Sequence, residues 1–165
     1  MKFKLRPWTL EDLNSLVRNA NNFNVARFMT DGFPHPYTNE NGKAFLEFAT
    51  KDTPINNFAI DIQGEAAGGI GIRLQSDIHK KNAEIGYWLG ESFWGKGIIT
   101  EAIKEIIEFG FENYDINRIF AKPFGTNPAS QRVLEKSGFK LEGKFEKTLL
   151  KNGEYLDELI YAIRR

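Results

Sequence analysis

The residues best suited to chemistry are Trp94-Gly95-Lys96-Gly97, which stand directly before the clearest helical pattern in the chain. Ile99, Ala102, Ile103, Ile106 and Gly110 recur at helical spacing and predict a helix over 97–114. A glycine-rich turn that feeds a helix presents backbone N–H groups without intrahelical acceptors. The helix dipole adds roughly half a positive charge at the same place. Together they suit a phosphate or pyrophosphate, and Gly95 and Gly97 let the backbone come close to it. The run is not a P-loop, which needs Gly-Lys-Ser/Thr after a four-residue gap. It is also not a complete Gly-x-Gly-x-x-Gly, because the third position is Thr100. Alone, such a turn reads better as a plain tight bend.

Composition narrows the chemistry. The chain has 165 residues, 22 Lys+Arg and 22 Asp+Glu, so its formal charge is zero and it lacks the basic footprint of a nucleic-acid binder. With 41% hydrophobic and 27% charged residues it reads as one soluble globular domain over 1–165. No apolar run approaches the ~18 residues of a membrane span, and the start Met1–Arg6 has no secretory pattern. There is no cysteine, which excludes disulfides, thiolate metal sites and a cysteine nucleophile. His35 and His79 are the only histidines, too few for a multi-histidine zinc site, so no metal is expected. The expected setting is cytoplasmic, without nucleic-acid or membrane partners, as a monomer or homodimer.

These residues need elements to hold them. Alternation over 2–6 predicts a strand. Thr9, followed by Asp12, starts a helix to about Asn19 through a partial capping box. A short helix over 23–29 follows, then a loop over 31–36 with two prolines and a glycine. A helix over 39–50 places Ala44, Phe45, Phe48 and Ala49 on one side. Strands over 57–63 and 67–74 meet at Gly64-Glu65, and a third runs over 83–89. After the long helix come a strand over 117–122 and a helix opened by Asn127-Pro128 and closed by Gly138. Strands over 140–150 and 155–163 flank Asn152-Gly153. The order is β-α-α-α-β-β-β-α-β-α-β-β, a mixed α/β (α+β) class whose second half needs a parallel crossover.

In this context, Ile85-Gly86-Tyr87-Trp88-Leu89 followed by Trp94-Gly95-Lys96-Gly97-Ile98-Ile99-Thr100-Glu101-Ala102 resembles the acyl-coenzyme A binding motif of GNAT acetyltransferases. Asn127-Pro128-Ala129-Ser130 and Glu135-Lys136-Ser137-Gly138-Phe139 resemble the superfamily's second motif. The ending Asn152-Gly153-Glu154-Tyr155-Leu156-Asp157 is similar to the branch that acetylates ribosomal-protein N-termini at alanine or serine. The resemblance implies a mixed sheet of about seven strands with a splayed parallel pair and four to five helices. It implies acetyl-CoA as co-substrate, with pyrophosphate on Trp94, Gly95, Lys96, Gly97, Ile98, Ile99 and Thr100. The pantetheine arm would lie beside Ile85, Gly86, Tyr87, Trp88 and Leu89 and reach Asn127 and Ser130. Tyr37, Glu84, Tyr155 and Asp157 would face the acceptor, with Ser130 and Glu84 as catalytic candidates.

The chain departs from the pattern in two places. Ser92 stands where the family often has Arg or Gln, three residues before the first glycine. Leu134 stands where many members carry a tyrosine as general acid, which leaves Ser130 as the substitute near the sulfur. The readings implied are acetyl transfer to a protein or peptide α-amine by direct attack, transfer to a small amine such as a polyamine or aminoglycoside, and a non-catalytic acyl-CoA-binding domain. Plain structural roles also suffice for several of these residues. Asn127 can serve only as a helix cap, Ser130 only as a first-turn residue, and Glu101 only as a dipole partner.

Overall fold

Strand alternation at the N-terminus gives β1 (Lys4–Pro7), which pairs antiparallel with β2 (Asn57–Ile62). The computed structural model describes residues 1–165. Between these strands lie α1 (Leu13–Ala20), α2 (Phe23–Ala26) and α3 (Asn39–Lys51). A short 3-10 turn, Leu10–Asp12, leads into α1, and the Thr9 backbone N–H donates to Asp12 Oδ2 at 2.9 Å, so the partial capping box forms. Thr38 caps α3 by accepting from the Asn41 backbone N–H at 3.1 Å. The buried side of α3 is Gly42, Leu46 and Ala49, with Phe45 half-buried. Phe48 and Ala44 point outward, because the buried face is centred one position from the side that apolar spacing suggests.

β2 and β3 (Glu65–Leu74) form an antiparallel hairpin. Its turn is Gln63-Gly64, one residue earlier than Gly64-Glu65, and both turn residues have positive φ (55° and 85°). A two-residue turn with two positive φ values matches the right-handed twist of the strands, and only the second position is glycine here. β4 (Asn82–Leu89), α4 (Ile98–Asn113) and β5 (Arg118–Ala121) make the crossover unit, with β4 and β5 parallel. α5 (Pro128–Lys136), β6 (Lys140–Lys151) and β7 (Glu154–Arg164) complete the chain, with the last two strands joined by Asn152-Gly153, both at positive φ. The seven strands lie in the order β1-β2-β3-β4-β5-β7-β6.

Two compact units divide the chain: Met1–Gly71 with Tyr87–Ala102, and Ile72–Gly86 with Ile103–Arg165. The first is built on Trp8, Leu16, Ala20, Tyr37, Leu46 and Ala49, with Phe33 and Trp88 packed against them. It also holds a buried ionic cluster. Arg6 donates to both Asp12 oxygens (2.9 and 2.8 Å) and to Asp61 Oδ2 (2.6 Å). Burial by itself would raise both carboxyl pKa values, but Arg6, helped by the Thr9 N–H at Asp12 and the Gly64 N–H at Asp61, outweighs it and holds both below the usual range. The second unit buries Ile106, Ile119, Leu134, Phe139, Leu159 and Tyr161. Gly110 of α4 has no room for a side chain: a Cβ would stand 2.6 Å from Ile72 Cδ1 and 3.1 Å from Ile119 Cδ1.

Candidate active site

The turn before α4 is tied down by its own Trp94 and Lys96 side chains, and its two glycines face open space. Gly95 and Gly97 take φ of 75° and 76°, and a Cβ built on either meets nothing within 4 Å. These conformations strain any residue with a side chain, so the sequence needs glycine here for the backbone and not for space. Trp94 Nε1 donates to the Leu89 carbonyl at 2.8 Å, which ties the turn to the end of β4. Lys96 Nζ donates to the Ser92 carbonyl at 3.0 Å and lies over the Phe93 ring at 5.7 Å. The Glu101 N–H donates to the Gly97 carbonyl at 3.2 Å, so the first α4 turn closes on a residue with no capping side chain. Upstream, Glu91 accepts from Asn22 Nδ2 (2.7 Å) and Asn24 Nδ2 (3.1 Å), which bind it below the usual carboxylate range. Trp88 packs edge-on against Phe33 at 5.4 Å between centroids.

The β4 and β5 ladder covers three residue pairs and ends at Glu84 and Phe120, while β4 continues to Leu89. Gly86 is exposed, with nothing within 4 Å of a built Cβ. Glu84 is half-buried, and its two oxygens face Arg73, a direct hydrogen bond, and Lys122 Nζ at 3.6 Å. Sequence reasoning gave no sign of this triad, because its members come from three separate strands or strand ends.

The turn before α5 is organised differently. Asn127 caps the helix through its side chain, which accepts the Ser130 N–H at 3.2 Å, and its own N–H donates to the Phe124 carbonyl at 3.0 Å. Pro128 holds the first helical position. Ser130 is half-buried one turn in, and Leu134 is fully buried core. The run Glu135–Phe139 is explained by the helix end. Gly138 has φ of 94°, the Phe139 N–H reaches back to the Leu134 carbonyl (3.0 Å), and Glu135 accepts from the Tyr161 hydroxyl (2.9 Å). Burial first, and the Glu135 carboxylate second, push the Tyr161 pKa up.

The remaining acceptor candidates are spread through the chain. Tyr37 is 6% exposed, stacked at a tilt on Phe33, and burial pushes its pKa up to about 12. Tyr155 is 67% exposed beside the hairpin tip. Asp157 is half-buried, and its carboxylate meets the Lys147 N–H (2.9 Å) and Lys144 Nζ (3.7 Å).

The family description "Acetyltransferase (GNAT) domain" matches residues 2–140. The chain is therefore a member of the GNAT acetyltransferase family, and its mixed seven-stranded sheet with a parallel β4–β5 pair is that fold. It is an acetyl-CoA-dependent acetyltransferase. Among its relatives is the Bacillus subtilis (strain 168) N-acetyltransferase YnaD, itself uncharacterized, at 28% identity over 96% of this chain and 91% of that protein. The Escherichia coli (strain K12) spermidine N(1)-acetyltransferase is 27% identical over 97% of this chain and 84% of its own length. A solved structure of RimL, a ribosomal L7/L12 α-N-protein acetyltransferase in complex with coenzyme A, superposes with a TM-score of 0.86 at 26% identity, covering 99% of this chain and 94% of that one.

Proposed function

We propose that the enzyme acetylates a protein or peptide N-terminal α-amine by direct transfer in a ternary complex. One observation carries the cofactor placement: two glycines at positive φ, with open space above both, lead into the 16-residue helix α4. That backbone fits a pyrophosphate, since both the N–H groups of the first turn and the helix dipole favour an anion. The backbone of Trp94–Thr100 would hold the pyrophosphate, and the Ile85–Leu89 strand and Asn127 would hold the pantetheine arm. Acetyl-CoA supplies the activated acetyl group as a thioester. Ser130 would donate a hydrogen bond toward the sulfur from the first turn of α5, where the helix dipole also favours negative charge.

An α-amine acceptor is supported by how little base the chain provides. An α-amine of pKa ~8 is about one-tenth neutral at pH 7, whereas a lysine near ~10.4 is neutral only at roughly a few parts in ten thousand. Glu84 could hold a water as a weak base while its oxygens also face Arg73 and Lys122. On this reading its main task is to set those two cations. Tyr155 is the exposed member of the acceptor set, while Tyr37 and Asp157 shape the surface from their own packing. The similarity to RimL favours a protein N-terminus, and the spermidine relative marks the polyamine alternative. A cytoplasmic setting belongs to the same reading.

The test is acetyl-CoA-dependent thiol release with N-terminal Ala and Ser peptides, spermidine and an aminoglycoside. Turnover with the peptides, lost when the α-amine is blocked, is the expected result. Turnover confined to spermidine or the aminoglycoside would replace the peptide reading, and binding of acetyl-CoA without release to any amine would favour a sensing domain.

A further inference from the structure

We propose that Asp157 is a positioning residue that clasps the β6 bulge to the turn before α5, and so sets Asn127. The inference concerns the same site and rests, for its link to the cofactor, on the placement of Asn127 given above.

The register of the final hairpin singles this residue out. Phe145 pairs with Glu158 and Leu149 pairs with Leu156, so Glu146, Lys147 and Thr148 together oppose Asp157 alone. Three residues against one make a bulge larger than the common two-against-one kind, and it leaves ladder groups without their regular partners. Lys147, at its centre, has φ of 51°, a conformation unfavourable to a residue with a side chain. Asp157 answers both problems. Its Oδ1 accepts the Lys147 N–H at 2.9 Å, and its Oδ2 faces Lys144 Nζ at 3.7 Å. On the opposite edge of β7, the Asp157 carbonyl accepts the Gly125 N–H at 2.8 Å, Phe124 bridges Glu158, and the Leu159 N–H reaches the Pro123 carbonyl at 3.1 Å.

Gly125 marks how close this contact is. A Cβ there would stand 3.0 Å from Asp157 Cβ and 3.5 Å from its carbonyl oxygen. The chain then runs directly into the cap: the Asn127 N–H returns to the Phe124 carbonyl at 3.0 Å, and Gln131 Nε2 reaches the Phe124 and Gly125 carbonyls. One residue therefore joins the bulge through its side chain to the Asn127 turn through its backbone.

Amide hydrogen exchange and calorimetric titration with coenzyme A, on the full chain, separate the possibilities. Asp157→Ala is expected to raise exchange at 124–127 and 144–148 by roughly tenfold, the factor of one charge-assisted hydrogen bond, and to weaken coenzyme A binding several-fold. Asp157→Asn keeps an oxygen for the Lys147 N–H and should restore both readouts to near wild type. Lys144→Ala, which removes only a long exposed ion pair, should change neither. Gly125→Ala approaches the clasp from the other side and should loosen the Lys147 amide even if Asp157→Ala fails to fold. Unchanged exchange at 124–127 in Asp157→Ala, or at Lys147 in Gly125→Ala, overturns the clasp, as does Asp157→Asn behaving like the alanine variant. If wild type binds no coenzyme A, the cofactor placement fails while the exchange results still decide the clasp.

Discussion

Two helices of this chain open on residues proposed for cofactor binding, and they begin in opposite ways. α5 is closed by its own side chain: Asn127 Oδ1 takes the Ser130 N–H, and Pro128 contributes no N–H at all. α4 follows Gly97, which has nothing to cap with, and the nearby side chains of Trp94 and Lys96 turn back to the carbonyls of Leu89 and Ser92. The α5 start therefore uses its donor capacity internally and presents side chains, Asn127 and Ser130. The α4 start keeps its side chains out of the way and presents backbone. A helix N-terminus without a capping side chain suits an anion, and the two positive-φ glycines are what fits the α4 start to that proposed role.

The largest expected effect falls on the open turn. Gly97→Val puts a β-branched residue at φ of 76°, a strain of ~1–3 kcal/mol, and fills the space above the backbone. Acetyl-CoA affinity measured by calorimetry on folded protein should fall about a hundredfold, equivalent to ~2.7 kcal/mol. Equal affinities would erase the distinction between the two helix starts.

Ser130→Ala tests the side-chain turn. Losing one donor from a dry site costs ~10²–10³ in turnover, and the half-buried position of Ser130 shifts expectation to the lower end, with cofactor affinity nearly unchanged. Wild-type turnover with chemistry shown to be rate-limiting would leave Ser130 as a helix residue only. Asn127→Ala should cost ~1 kcal/mol of stability as a lost cap and weaken cofactor binding a few-fold, read by thermal melting and titration. A stability loss without any change in binding would assign Asn127 to the cap alone.

The smallest effect belongs to neither turn and serves as a control. Arg6 holds the Asp12 and Asp61 carboxyls below their unfolded values, so their contribution to stability is present above the unfolded pKa of ~3.9 and lost as pH falls through the lower folded values. Wild type should lose stability below about pH 4 more steeply than Asp61→Asn, while coenzyme A binding at neutral pH stays alike in the two. Parallel acid melts would show that the cluster contributes nothing through ionisation.

Much of this was legible in the sequence for a physical reason. Element order follows from apolar periodicity and from local signals such as Asn127-Pro128, Gly138 and Asn152-Gly153, whose effects stay within a few residues. Features made by distant partners were not legible. Arg6 meets Asp61 across 55 positions, Glu91 meets Asn22 across 69, and the Arg73–Glu84–Lys122 group exists only once three strands are placed. The hairpin turn fell one residue early because Gln63 accepts a positive φ that composition would reserve for glycine. The run Glu135–Phe139, striking as a motif, is in structural terms a helix ending held by Tyr161, and only the tertiary partner reveals that.

The central claim, that the uncapped α4 start and not the capped α5 start receives the pyrophosphate, is open to one direct measurement. Backbone amide NMR shifts should be followed while the folded chain is titrated with inorganic pyrophosphate and then with coenzyme A. The account predicts the largest changes at Gly95, Lys96, Gly97 and Ile98 with both, and changes at Asn127 and Ser130 with coenzyme A only. Pyrophosphate shifts centred on the α5 start, or absent from the α4 turn while coenzyme A still binds, would contradict it.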